Sequence, residues 1–157
     1  MEANGQDRKW TVCACEFLGT ALFLFGIIST NLPLTIPFSL LASVVIWGDI
    51  TGGHFNPAVT IGVFTTLEKR SENIVFMFMI IISQIAGGMF GALMSYGGNI
   101  DKPDAAIPIL APKNWNQDHT FDESTTGGDH FSMDLNVCIN ELICTFVFIS
   151  VILMVKG

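Results

Sequence analysis

The sequence predicts an all-α membrane protein, and three observations carry that prediction. Half of the 157 residues are hydrophobic and only 13% are charged, with a mean hydropathy of +0.55. That is too apolar and too charge-poor for an ordinary soluble domain. The apolar residues are gathered into long runs separated by short polar links and one long polar loop. Between two of those runs sits Asn56-Pro57, a helix start with nothing around it that resembles a soluble surface.

Residues 1–9 are polar, carry Arg8 and Lys9, and form the expected cytoplasmic tail. The apolar run over about 10–30 follows directly. Twenty-odd helical residues at 1.5 Å rise cross the ~30 Å of hydrocarbon in a bilayer. The run is too long for the apolar region of a signal peptide and shows no small-x-small cleavage pattern before Pro33.

A second span is expected over about 36–49, opened by Pro37 and closed by Gly48 and Asp49. It is short for a crossing. Then come Gly52 and Gly53, with Asn56 expected as helix cap and Pro57 at the first helical position. The half-helix predicted over 56–67 is too short to cross, so it reads as re-entrant. Glu68, Lys69, Arg70, Ser71 and Glu72 mark a return to the aqueous face, and a third span is expected over about 73–96. Its Gly87, Gly88, Gly91 and Ala92 provide the small residues that let membrane helices approach closely. A long polar loop over 98–131 separates this span from a fourth within 132–157.

Charge agrees with that topology. Four spans and one dip put Arg8, Lys9, Lys69, Arg70 and Lys156 on one side, leaving Lys102 and Lys113 opposite. The positive-inside rule makes the N-terminus cytoplasmic and the 98–131 loop extracellular. The net charge of −7 belongs mostly to that loop, since seven of the 14 acids fall between Asp101 and Asp134. Seven Lys and Arg form no basic stripe, so nucleic acid is excluded as a partner.

Metal and redox chemistry find no footing. Cys13, Cys15, Cys138 and Cys144 all lie in or beside apolar runs and read as buried free thiols. Cys13-x-Cys15 has the wrong spacing for a zinc pair. Asp118, His119, Asp122, Glu123, Asp129 and His130 are irregularly spaced on a Gly- and Pro-containing loop, the pattern of a solvated acidic segment. No metal and no cofactor is expected, nor an enzyme, for there is no nucleophile with a neighbouring base.

A helix that begins inside a bilayer leaves its first N–H groups without partners, tolerated only where the backbone is buried in protein or lines water. The positive end of its dipole and the Asn56 side-chain amide then face the same spot, offering donors to an oxygen-bearing solute and repelling cations. In its hydrophobic context the string Thr51-Gly52-Gly53-His54-Phe55-Asn56-Pro57-Ala58-Val59-Thr60 resembles the first Asn-Pro-Ala box of the aquaporin (major intrinsic protein) family.

An internal repeat supports the resemblance. Residues 16–23 and 141–148 match in acid, Thr and Phe, and three spans separate them, the sign of an inverted repeat. The resemblance implies an aquaporin-like fold in which residues 10–97 form the first repeat, of three spans plus the half-helix, and the fourth span opens the second. The fifth span, the second Asn-Pro-Ala half-helix, the filter arginine after it and the sixth span are then missing, and the chain looks truncated to a little over half of an aquaporin.

Other implications concern single residues. Glu16 and Glu141 are acids within apolar runs, where an unpaired charge costs ~2.5 kcal/mol or more. With no further acids in line for a relay, the resemblance makes them acceptors for the half-helix loops. It makes Gln84 a brace for the loop near Asn56. It sets His54 in the cytoplasmic mouth, where a backbone-bonded histidine is the commoner arrangement and a pH switch the alternative. Counting back from Asn56, Ile36 falls at the filter position, where the resemblance leads one to expect an aromatic in a water-selective member, so Ile36 departs from strict water selectivity; Phe38 takes that place if Pro37 shifts the helix. Gly52, Gly53, His54, Phe55, Asn56, Pro57 and Ala58 are the expected pore residues. The expected function is passive passage of water and small uncharged solutes across a lipid bilayer, the plasma membrane by default and an intracellular membrane otherwise, by a homotetramer. The alternative is a non-conducting relative that assembles with a full-length channel and modulates it.

Overall fold

A computed structural model of the chain describes residues 5–30, 32–68, 70–98 and 130–156. All of its elements are helices: α1 Gly5–Ser29, α2 Thr35–Thr51, α3 Pro57–Thr66, α4 Arg70–Gly98 and α5 His130–Lys156. They divide into two units, Met1–Pro108 and Ile109–Gly157.

In the first unit the depth of each residue follows from its neighbours. α1 and α4 run parallel, for the buried Val12 and Ile80 share one cluster and Ser29 Oγ donates to Ser95 Oγ (3.2 Å) at the other end. Between these, the α1 backbone at Phe17 and Ala21 lies against Gly87 and Gly91, so close that a Cβ on either glycine would strike a carbonyl oxygen. α2 runs antiparallel to α1: Ser39 fills the space beside Gly26, and Ser43 Oγ donates to Gly19 O (2.8 Å). Small residues therefore set both interfaces, as expected where lipid removes the hydrophobic drive between helices.

Large apolar side chains face outward instead. Val45 is 74% exposed and Met89 70%, which suits a lipid-facing surface. α1 holds an apolar span at Gln6–Ser29 and α4 another at Arg70–Gly98, both long enough to cross a membrane. α2, with 17 residues, reaches ~25 Å, at the lower limit of a span.

Several boundaries differ from expectation. α1 begins at Gly5, within the stretch expected to be a tail, because polar residues continue a helix beyond the apolar region without ending it. α2 passes through Gly48 and Asp49 to Thr51 and stops where Gly52 adopts a left-handed conformation (φ 86°), its N–H donating to Gly48 O. Gly48 was expected to close the helix, but it has no positive φ. α3 ends at Thr66 and α4 starts at Arg70, leaving a link shorter than the charge cluster suggested.

α5 forms the second unit's helix, with an apolar stretch over Cys138–Met154. Cys138 and Cys144 are free and exposed there, not buried, since a single helix covers little of its own side-chain surface; Cys13 and Cys15 on α1 are free and buried. Lys69, Lys102, Lys113 and nearly all of the acidic 98–131 loop, with Asp118, His119, Asp122, Glu123 and Asp129, lie outside the described residues.

Candidate functional site

The chain between α2 and α3 turns inward. Thr51, His54 and Leu67 border one cavity with Arg8, so the end of α2 and the end of α3 lie at the level where α1 begins. Between them the loop reaches Glu16 and Gly19, near the middle of the apolar Gln6–Ser29 helix. α3 then runs back toward Leu67. This is a dip to mid-depth and return.

Its turning point is held by one carboxylate. Glu16 is fully buried, and its Oε1 accepts from His54 N–H (3.1 Å) while Oε2 accepts from Phe55 N–H (2.8 Å). Gln84 Nε2 also donates to Oε2 (2.7 Å), and to Thr60 Oγ1 (2.9 Å). A buried carboxylate with three donors, two from backbone and one from a side chain, escapes most of the penalty for removing a charge from water. The backbone orientation that gives Glu16 its donors requires φ of 68° at Gly53 and 45° at Phe55. Glycine adopts such angles freely; for Phe55 they cost ~1–2 kcal/mol. Burial offsets that strain: Phe55 is 1% exposed, and its ring occupies the space a side chain at Gly19 would fill.

Asn56 follows with extended backbone (φ −155°, ψ 127°), and its Oδ1 accepts from Ala58 N–H (2.8 Å). Pro57 brings no N–H to the first turn, and Thr60 N–H is already bonded to Asn56 O (3.0 Å). The helix end therefore has fewer free donors than its position suggests. The cap uses the side-chain Oδ1 of Asn56 and leaves its Nδ2 out of that bond.

The other residues singled out in the sequence are placed as follows. His54 Nδ1 lies 3.3 Å from Thr60 Oγ1, and that hydroxyl is also within reach of Asn56 O (3.2 Å), so the imidazole tautomer decides which of the two the threonine proton serves. Gln84 is buried, and its Oε1 has no partner among the described residues. Ile36 and Phe38 lie in the first turns of α2, both exposed, most of a helix length from the loop at Gly52. They are not brought together with Asn56. Glu141 lies exposed on α5, in the second unit. Among the described residues no cluster of His, Cys, Asp or Glu is arranged to hold a metal.

Three contributors escaped the sequence reading. Thr60 joins Gln84, His54 and Asn56; Gly19 receives Phe55; Ser43 on α2 donates to the same stretch of α1 at Gly19 O. Thr60 carries the one local signal, a threonine four residues after the cap on the same helix face.

Comparison with known proteins decides the family. Residues 5–156 match the family model described as Major intrinsic protein. The chain belongs to the major intrinsic protein family. Membership makes it an integral membrane protein of a channel family, not an enzyme. Among its relatives is Aquaporin Z of Photorhabdus laumondii, 30% identical over 158 residues that cover 89% of this chain and 63% of that protein. The propanediol uptake facilitator PduF of Salmonella typhimurium is 37% identical over 57% of this chain and 38% of its own length. Aquaporin-B of Dictyostelium discoideum is 28% identical over 94% of this chain and 51% of its own. The chain thus spans about half the length of the curated relatives it matches. No solved structure matches it significantly.

Proposed function

We propose that this major intrinsic protein chain forms the wall of a passive channel for water and small uncharged solutes, with Asn56 donating to the solute at mid-depth. The observation that supports this most is the dip itself, a loop ending in a capped helix start and anchored to a buried glutamate near the middle of a membrane-length helix. No bond is made or broken. Loop residues Gly52, Gly53, His54 and Phe55 supply the adjoining wall, Pro57 and Ala58 open the half-helix, and Ile36 or Phe38 sets the width further out. An aliphatic Ile36 at that outer position, and relatives named for propanediol uptake and as an aquaglyceroporin, favour small polyols beside water, whereas Phe38 there favours water. A charged species finds no matching path, since Glu16 is fully committed to the loop.

The described residues contain one re-entrant half-helix, which favours a second reading: a partner chain that assembles with a full-length channel and alters its rate. Stopped-flow light scattering of proteoliposomes separates the two. Under the channel reading, vesicles holding this chain swell faster than empty ones in an inward gradient of glycerol or 1,2-propanediol. If they match empty vesicles, yet slow or speed a co-reconstituted full-length relative, the partner reading stands instead.

A further inference from the structure

Behind α3, on the side of α1 and α4, lies a cavity of about 440 Å³, within the ~300–1,000 Å³ of ordinary ligand sites. Of its lining, only His54 is given a part in the channel reading. Its depth is apolar, formed by Val12, Val63, Phe64, Phe76 and Ile80. Among the described residues its charged lining is Arg8 and Lys9, with no carboxylate, although the chain as a whole carries a net charge of −7. Lys9 Nζ sits 5.6 Å from the centroid of the Phe76 ring, a cation–π arrangement that keeps the ammonium over the cavity wall.

Arg8 and Lys9 stand at the start of a membrane-length helix, the level at which lipid headgroups lie. A pair of cations at headgroup depth above an apolar recess between spanning helices is complementary to one kind of molecule, an amphiphile with an anionic head and a hydrocarbon tail. We infer that this cavity binds an anionic phospholipid of the surrounding leaflet, its phosphate on Arg8 and Lys9 and part of an acyl chain against Phe64, Phe76 and Ile80. A free anion would leave the apolar depth empty, and a neutral lipid would leave both cations unused. The cavity is also bordered by His54 and Thr60, so a bound tail packs beside the loop that presents Asn56. The binding itself does not depend on conduction.

Native mass spectrometry of the detergent-solubilised chain tests this by titration with short-chain phosphatidylglycerol, phosphatidylcholine of the same chain length, and inorganic phosphate. Phosphatidylglycerol is expected to bind in preference to the other two. Arg8→Gln/Lys9→Gln is expected to weaken it roughly thirty-fold, from two cations near an anionic head. Arg70→Gln removes a cation that is outside the cavity lining, and is expected to leave binding within a few-fold of the parent. Val63→Phe, which narrows the apolar depth, is expected to weaken phosphatidylglycerol without creating affinity for phosphate. Equal binding of phosphatidylcholine, equal binding of phosphate, or equal losses in the two charge variants would each overturn the assignment. Arg8, Lys9 and Arg70 are all exposed, so folding is not at issue.

Discussion

Glu16 and Phe55 are 39 residues apart in sequence and joined by a 2.8 Å hydrogen bond from the Phe55 N–H to Glu16 Oε2. The carboxylate and the strained residue stabilise each other: φ of 45° at Phe55 presents its N–H to Glu16, and the bond holds the angle. Glu16→Gln keeps the shape but brings an amide NH2 where an acceptor is required. Three donors then compete for one carbonyl oxygen. Loss of hydrogen bonds to a charged acceptor predicts a destabilisation of ~2–3 kcal/mol, read as a lower thermal unfolding midpoint in detergent.

Phe55 and Gly19 form the second coupled pair, because the ring fills the space a Cβ at Gly19 would need. Gly19→Ala alone is expected to destabilise by ~1–3 kcal/mol through overpacking. In a Phe55→Ala background the same change meets a void and has much less effect. A double-mutant cycle measures the difference; additive effects would show that the ring does not sit on Gly19.

At the α1–α4 contact, Gly87→Ala and Gly91→Ala set a methyl against the carbonyls of Phe17 and Ala21, whereas nothing lies within 4 Å of a Cβ at Gly97. The first two are expected to lose ~1–3 kcal/mol each. Gly97→Ala is expected to be neutral or slightly stabilising, through the higher helix propensity of alanine. Comparison of unfolding midpoints for the three variants checks it.

Gln84→Met removes both donors to Glu16 and Thr60 together with the unpartnered Oε1, at nearly constant volume. Losing the unpaired acceptor offsets part of the loss, which predicts a modest destabilisation of ~1 kcal/mol. A loss as large as that of Glu16→Gln would mean that Gln84 and the carboxylate hold the loop as one unit.

How much of this the sequence disclosed depends on the range of the forces involved. Asn56 as cap and Pro57 at the first helical position are decided within three residues, so they are legible in the string itself. The positive φ of Gly53 belongs to the same local chemistry. The end of α2 was misplaced because Gly48 and Gly52 look alike in sequence, and only the backbone reveals that Gly52 takes the left-handed turn. The start of α1 was misplaced because polarity marks the edge of the bilayer and says little about where a helix begins. Phe55 on Gly19, and Thr60 between His54 and Gln84, are long-range or orientation-dependent, and no local pattern announces them. The tentative outer positions Ile36 and Phe38 rested on counting residues, which fixes a helix position but not which wall it faces.

In the proposed channel Asn56 donates to the solute at the end of α3, and one substitution separates that from its role as cap. Asn56→Asp keeps the oxygen that accepts from Ala58 N–H, and so the helix start, but loses the Nδ2 donor and adds a negative charge. The measurement is osmotic swelling of proteoliposomes holding the parent chain or Asn56→Asp at equal protein content. Rapid swelling is expected with the parent and a rate close to empty vesicles with Asn56→Asp, at unchanged thermal stability. Equal rates in the two proteins, or a parent no faster than empty vesicles, would contradict the proposed channel.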